Sequence, residues 1–328
     1  MRAGLPASFQ TVPGGSEWIA WCGLAAGVSA AITYGIARVA AAAGVLDHPN
    51  ARSSHSRPTP RGGGLGIVVV LLAAAAVLAV RGVPVPEHAW LAGLGLVLVA
   101  VVSGLDDLTT ISAPARLAAQ VLAAGLATAA AGPARGVELG SLGAWEWGIA
   151  GWGLTLIWIV GMTNAFNFMD GIDGIAGLTA AVALGVFTVG AWLAGDLFAA
   201  GVAAAGAAAA AGFLVWNWQP ARIFMGDVGS ASLGYTIAVL PLLAGEPHRR
   251  RLLPLTALVM APFILDTGLT LLRRLRKGEN VFEAHRSHFY QRLVIAGWSH
   301  ASVALLYGLA SLVAGVAALA AIVPRPAS

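Results

Sequence analysis

Apolar stretches long enough to enter a lipid bilayer recur through almost the whole chain, and they restrict its fold more than any other feature. They fall near 18–43, 64–81, 88–105, 115–131, 148–166, 174–194, 197–216, 230–245, 252–272 and 299–323, with short polar segments between them. A spanning helix needs about 20 such residues. Lipid offers backbone polar groups no partner, so helices satisfying their own hydrogen bonds are the expected solution. The fold predicted is an all-α integral membrane protein, a polytopic bundle of about ten transmembrane helices forming one domain over residues 1–328. With 58% hydrophobic and 10% charged residues, the chain is far too apolar for a soluble domain of 328 residues.

Several runs are shorter than the bilayer is thick, so their helices must extend into flanking loops or thin the membrane locally. The small residues between Ala199 and Gly212 suit close helix packing rather than chemistry. Trp18, Trp21, Trp90, Trp145, Trp147 and Trp192 gather near one set of span ends, and Trp216, Trp218 and Trp298 near the other, as interfacial anchors do. The polar start, with Pro6, Pro13 and Gly14-Gly15, does not read as a cleavable leader. A single cysteine, Cys22, excludes a disulfide framework and a Cys-rich metal site.

Ten spans place the loops alternately on two sides, and one side collects the unusual polar segments 44–63, 106–114, 167–173, 217–229 and 273–298. With Arg116 at a span entrance, that side holds Arg52, Arg57, Arg61, Arg116, Arg222, Arg273, Arg274, Arg276, Lys277, Arg286 and Arg292. Basic residues in short loops stay in the cytoplasm. These loops are therefore expected inside and both termini outside, with Arg249, Arg250 and Arg251 as the exception. The net charge of +4 reads as membrane orientation and not as nucleic-acid binding.

The same loops carry Asp47, Asp106, Asp107, Asp170, Asp173 and Asp227. Carboxylates gathered beside hydrocarbon suggest a hard divalent cation, and Mg²⁺ usually takes one or two of them together with waters and substrate phosphates. In Asn164-Ala165-Phe166-Asn167-Phe168-Met169-Asp170-Gly171-Ile172-Asp173-Gly174, three-residue spacing puts two Asn and two Asp on one helical face. A plain helix stop would not need four oxygen-bearing side chains. Gly226-Asp227-Val228-Gly229-Ser230 sets a lone carboxylate at a helix start, where backbone N–H groups can face a phosphate. Alone, it is also an ordinary helix cap, and Asp106-Asp107 alone is an ordinary solvated helix end.

The last long loop runs from a basic cluster at Arg273–Lys277 to His285-Arg286-Ser287-His288-Phe289-Tyr290-Gln291-Arg292. The cluster suits lipid headgroups. Arg and imidazole donors in the later part suit a diphosphate, making this loop a candidate lid. The first loop, from Asp47 through His55 to Arg61-Gly62-Gly63-Gly64, is basic and restrained by Pro and Gly, suited to an anionic lipid head or to substrate phosphates. Intramembrane Asp266 raises the rival reading of a transporter or channel, or it ties two helices together. A transporter should carry charges near mid-bilayer in matching halves, and here nearly all acids lie at one interface.

Taken in order, these motifs resemble the polyprenyl-phosphate N-acetylhexosamine-1-phosphate transferase superfamily, over the region from about 47 to 297. They are Asp47…Pro58-Thr59-Pro60-Arg61-Gly62-Gly63, Gly104-Leu105-Asp106-Asp107, Asn164 to Gly174, Gly226-Asp227-Val228-Gly229-Ser230, and the His285–His288 loop. The resemblance implies transfer of a sugar 1-phosphate from a UDP-N-acetylamino sugar to undecaprenyl phosphate, releasing UMP and initiating a lipid-linked cell-envelope glycan. It implies Mg²⁺, with Mn²⁺ as a substitute, a bundle of ten or eleven helices that is often a homodimer, and a cytoplasmic active site in a bacterial inner membrane.

By motif position, Asp106, Asp107 and Asp227 resemble catalytic residues, and Asp227 and Asn167 metal ligands. Asn164, Asp170, Asp173, Arg286, His288, His285 and Arg61 resemble substrate-binding residues. Two departures stand out. Members with GlcNAc or muramoyl donors tend to carry Asp-Arg-x-His-x-His-His in the last loop, where this chain reads His285-Arg286-Ser287-His288-Phe289-Tyr290-Gln291. This variant is similar to a shorter branch using UDP-FucNAc or UDP-QuiNAc, with UDP-GlcNAc or UDP-MurNAc-pentapeptide as alternatives. Pro114 also stands where a basic residue commonly follows the Asp pair, leaving Arg116 as the nearest cation.

Overall fold

A computed structural model describes residues 15–49, 57–246, 248–280 and 285–322. The expected Arg52 and His55 contributions from the first loop lie outside the described residues.

Every apolar run becomes helix: α1 Gly15–Ala42, α2 Leu65–Val80, α3 Ala89–Leu108, α4 Ala113–Ala131, α5 Ala150–Phe168, α6 Ile175–Leu193, α7 Leu197–Asn217, α8 Asp227–Leu243, α9 His248–Val259, α10 Ala261–Arg276 and α12 His300–Ile322, with a short α11 Phe289–Ile295 in the last loop. Five of these helices, α1, α3, α6, α7 and α12, are long and apolar enough to cross a membrane, and α9 with α10 makes a sixth candidate. The chain is thus a helical membrane protein in which five or six helices among the described residues meet the length and apolarity of a span; the ten spans that the apolar runs suggest are not established by this test, and α2 and α8 are apolar but shorter.

The run at 252–272, expected as one helix, is two helices meeting at 66°. Pro262 sits in the first turn of α10. It offers no N–H and its ring crowds the preceding turn, so a continuous helix breaks there.

The bundle centres on α8, whose side chains from Val228 to Leu242 are all buried. α6, α7 and α1 pack successively on one flank, α5 on another, and α3 and α4 on a third. The Ala-rich stretch of α7 is inside, as its composition predicts, with a Cβ on Gly212 excluded by the backbone of Ala26 in α1. Threonines within the helices, such as Thr128, Thr155, Thr163 and Thr236, return their hydroxyl hydrogens to the carbonyl four residues earlier. Their polarity is thereby satisfied without water.

Two antiparallel hairpins decorate the ends. At one end β1 Leu46–Asp47 pairs with β2 Thr59–Pro60, in the register Leu46 to Pro60 and Asp47 to Thr59. At the other, β3 Gly136–Glu138 pairs with β4 Ala144–Glu146. This second hairpin accounts for the anomalous arginines of α9. Arg251 reaches Glu138 at 2.8 Å, Arg250 pairs with Glu146, and Arg249 donates to the carbonyls of Ala131, Pro133 and Ala244. Arg250 and Arg251 fasten the start of α9 to the surface hairpin, and Arg249 ties it to the ends of α4 and α8.

Candidate functional site

The polar segments singled out by sequence converge at one end of the bundle, and backbone hydrogen bonds knit them together. The N–H of Phe224 donates to Pro60 O (2.8 Å), that of Gly63 to Phe224 O (3.0 Å), and that of Gly64 to Met225 O (2.9 Å). A Cβ on Gly64 would collide with the Cα of Gly229. The Pro60–Gly64 motif therefore lies flush against the start of α8, and its glycines allow the two backbones to touch.

Asp107, buried near the end of α3, accepts the N–H of Asp227 at Oδ1 and of Val228 at Oδ2, both at 3.0 Å. It caps α8 from another helix, satisfying donors that a helix N-terminus leaves unpaired. The preceding Gly226 has φ +75°, and a Cβ there would approach Asp107 Oδ2 to 2.6 Å. Its neighbour Asp106 turns elsewhere. Asp106 Oδ1 accepts the N–H of Ile111 (2.8 Å), and Oδ2 meets Arg116 Nη1 at 2.6 Å. The same Arg116 nitrogen lies 3.5 Å from Asp227 Oδ2. Arg116 thus bridges two of the three catalytic candidates, a role the sequence could suggest only by its position after the Asp pair.

The Asn–Asp motif divides. Asn164 and Asn167 lie on α5, but the helix ends at Phe168, so Asp170 and Asp173 occupy the turn that follows instead of continuing one helical face. Asn164 points into the bundle, donating to Gln120 Oε1 (2.6 Å) and Val160 O (2.8 Å). Asn167 is within hydrogen-bonding reach of Asp227, and its Oδ1 accepts from Ser230 Oγ at 2.8 Å. Asp173 is committed to structure, accepting the N–H of Ala221 (3.1 Å), while its own N–H donates to His300 Nδ1 (3.3 Å).

Asp170 carries the strongest electrostatic signature outside the spans. Burial, and then the nearby charges of Asp227, Asp107 and Asp173, push its carboxyl up to about 8. Four carboxylates crowd into one crevice, and a cation placed among them would relieve their repulsion. Among the described residues no three His, Cys, Asp or Glu side chains form a metal cage. Mg²⁺ needs no such cage, since waters and phosphate oxygens complete its shell. Asn167 also suits a ligand role. The single hydroxyl hydrogen of Ser230 has a second acceptor in Gly226 O at 3.1 Å, so the Asn167 oxygen is replaceable as its partner.

Over this crevice lies the basic loop, and Asp266 holds it. Buried on α10, Asp266 Oδ1 accepts from the N–H of Phe289 (2.9 Å) and meets His288 Nδ1 at 3.2 Å. Oδ2 accepts from the N–H of Tyr290 (3.0 Å) and from the Tyr307 hydroxyl (2.6 Å). The sequence raised Asp266 as an ion-pathway candidate; here both its oxygens cap α11. Tyr290 then donates to Phe168 O at 3.1 Å and fills the space that Gly171 leaves, joining the loop to the end of α5. Asp170 and Arg286 both act electrostatically on Tyr290. His285 stacks on His288 with centroids 4.9 Å apart. Burial, and then the charges of His288 and Arg274, lower His285 to about 4, so it is neutral at physiological pH. Its Nδ1 faces the N–H and hydroxyl of Ser287, which leaves the ring proton on Nε2.

The chain is similar to several known proteins. Residues 89–245 match Glycosyl transferase family 4. The chain is 31% identical over 293 residues to a probable undecaprenyl-phosphate N-acetylglucosaminyl 1-phosphate transferase of Bacillus subtilis, covering 88% of this chain and 80% of that one. It is 32% identical over 287 residues to a decaprenyl-phosphate N-acetylglucosaminephosphotransferase of Mycobacterium leprae, covering 79% and 72%. A phospho-N-acetylmuramoyl-pentapeptide-transferase of Bacillus velezensis is 34% identical over 172 residues, about half of each chain.

Proposed function

Since the chain belongs to the polyprenyl-phosphate N-acetylhexosamine-1-phosphate transferases of glycosyl transferase family 4, we propose that it transfers an N-acetylamino-sugar 1-phosphate from a UDP-sugar to undecaprenyl phosphate, releasing UMP. The observation that carries the reading is the meeting of Asp106, Asn167, Asp170 and Asp227 with Arg116 beneath a basic loop, at one end of an apolar bundle. The names of the relatives put UDP-GlcNAc first among donors, while the His285–His288 variant keeps UDP-FucNAc and UDP-QuiNAc in contention. The proposal includes ten helical crossings of a bacterial inner membrane, some by short helices, with the site on the cytoplasmic face, both termini outside, and a homodimer as the assembly.

Charge dominates the reaction. Acceptor phosphate and donor diphosphate together bring about three to four negative charges, and catalysis consists largely of neutralising and aligning them. The second pKa of a phosphate monoester is about 6, so the acceptor is mostly a dianion at neutral pH and needs no obligatory base. One of its oxygens attacks the sugar-linked phosphorus in line. The bond from that phosphorus to the bridging oxygen breaks, and UMP leaves with the electron pair. Asp106 and Asp227 hold Arg116 beside the transferring group, and Arg286 contacts the diphosphate together with His288 and with His285, which is neutral. Mg²⁺, for which Asp227 and Asn167 are the fitting ligands, would supply further neutralisation of phosphate charge.

The test is purified protein with Mg²⁺, undecaprenyl phosphate and a panel of UDP-N-acetyl sugars. UMP and a lipid-linked sugar diphosphate are expected with one donor. Absence of product from every donor, with the protein shown to be folded, refutes the proposal.

A further inference from the structure

Asp170 and Asp227 reach the crevice on different segments, and only one of the two carboxylates is anchored where it stands. Asp227 opens α8, whose start is held by the Asp107 cap. Asp170 lies in the turn 169–174 between α5 and α6, and no hydrogen bond to its carboxyl is found among the described residues. Its place is therefore set by the backbone of that turn. Burying a fourth carboxyl beside three others is unfavourable, so the turn has to be held from outside.

Two side chains beyond the acidic motifs hold it. Asn217, the last residue of α7, is 3% exposed. Its Oδ1 accepts the N–H of Gly174 (3.0 Å), and its Nδ2 donates to Ile223 O (2.9 Å). One partner can only donate and the other only accept, so the amide has a single satisfactory orientation. The residue after Ile223 is Phe224, which meets the Pro60–Gly64 motif just ahead of Asp227. One amide thus ties the turn after α5 to the chain entering α8. A second bond runs between the same segments, because Asp173 Oδ2 accepts the N–H of Ala221 at 3.1 Å.

His300, the first residue of α12, braces the turn from its other side. Its Nδ1 accepts the N–H of Asp173 (3.3 Å) and stands 3.4 Å from Asp173 Oδ1. A neutral ring holds the backbone of Asp173, and a protonated ring would hold its carboxylate. The neighbouring Ala301 donates its N–H to Gln219 Oε1 (2.8 Å), which joins the start of α12 to the loop between α7 and α8. Gly174 closes the turn with φ +79°, where a Cβ would stand 3.0 Å from the Trp218 ring. The turn is gripped by α7, α12 and the loop ahead of α8 together.

We propose that Asn217 and His300 are positioning residues, a clasp that sets Asp170 against Asp227. The proposal rests on the transferase reading and adds two residues that touch neither substrate nor metal. They act on turnover through the acidic turn, since reacting groups must be held within about 0.5 Å of their working geometry.

His300 stands at the edge of the bundle, so its replacement spares the core. In full-length protein reconstituted in nanodiscs, His300→Leu should lower kcat about tenfold and leave the KM for undecaprenyl phosphate within about twofold of the wild type. His300→Asn, whose Oδ1 stands close to where Nδ1 was, should restore kcat to within about twofold. A residue that merely filled space would give the opposite order, because Leu matches the bulk of the ring better than Asn does. Amide hydrogen exchange without substrates reads the clasp directly. In His300→Leu, protection should fall at Asp173 and Gly174 and, through Asn217, across 223–228, while the middle of α12 stays protected. Asn217→Leu should expose the same amides; if that buried change prevents folding, the two His300 variants decide. Wild-type kcat in His300→Leu, equal losses in the Leu and Asn variants, or unchanged exchange at Asp173 and Gly174 each overturns the proposal. Exchange needs no turnover, so it judges the clasp even if no UDP-sugar yields UMP and the transferase reading fails.

Discussion

Replacing Asp266 with Asn removes a charge and turns one acceptor oxygen into a donor, in the residue that fastens the basic loop to α10. Whichever way the amide is oriented, it loses at least two partners. In one orientation these are the Tyr290 N–H and Tyr307 hydroxyl; in the other, the Phe289 N–H and His288. Hydrogen bonds to a charged group contribute about 1.5–3 kcal/mol each, and a buried orphaned N–H adds its own penalty. Tyr307 can turn to accept from the new amide, which offsets part of the loss. A net cost of about 3 kcal/mol lowers the ratio of docked to undocked loop just over a hundredfold. Amide hydrogen exchange should show lost protection across 289–295 while the middle of α8 stays protected. In turnover assays the KM for the UDP-sugar should rise, and that for the lipid acceptor should change little. Unchanged protection at Phe289 and Tyr290 together with an unchanged donor KM refutes the argument.

Three further outcomes follow from the site. Asp227→Ala removes the carboxylate shared by Arg116 and Asn167 and should lower kcat by a factor of about 10³ or more; near wild-type turnover in Mg²⁺ sinks its assignment as a ligand. Asp170, with an ordinary value of 3.8 and a folded value of about 8, keeps a proton in the folded chain that the unfolded chain releases. Its contribution to stability is full below about pH 4, declines as pH rises, and is lost through about 8. Without divalent cations the unfolding temperature should fall between pH 6 and 9, and Mg²⁺ should flatten that slope while releasing a proton near pH 7, read by calorimetry in two buffers of different ionisation enthalpy; no proton release there contradicts the assignment. Gly226→Ala forces a side chain into a left-handed backbone and against Asp107, and should lower the unfolding temperature by about 5 °C; an unchanged unfolding curve is the contrary result.

Helix positions were legible because hydrocarbon imposes a length and a composition that leave an unmistakable trace. Which helices span was less so: α2 and α8 stand out as apolar but are shorter than a bilayer is thick, and Pro262, visible in the sequence, marks a bend that a hydropathy pattern ignores. Motif residues were found because Asp and Asn beside lipid are costly and therefore conspicuous. Their partners were not. Ser230 against Asn167, His300 against Asp173 and Gln120 against Asn164 join positions 44 to 127 residues apart, and no local periodicity reports such pairs. The Asn–Asp spacing also misled. A three-residue repeat suggests one helical face, but the helix stops at Phe168, and the last two members of the repeat reach the crevice through a turn.

The adjacent aspartates of α3 show what a pair of identical residues does in a helix. Neighbouring positions are about 100° apart around the axis, so two consecutive carboxylates cannot serve the same point in space. Asp107 faces α8 and spends both oxygens holding Gly226–Val228 in place. Asp106 faces Arg116 and the loop that follows α3. Loss of Asp107 therefore acts through the position of Asp227, at the N-terminus it caps, whereas loss of Asp106 acts through the position of a cation. The two substitutions would be equally damaging to turnover and still separable. Asp107→Asn should unsettle the start of α8 in hydrogen exchange, and Asp106→Asn should leave α8 intact and release only Arg116.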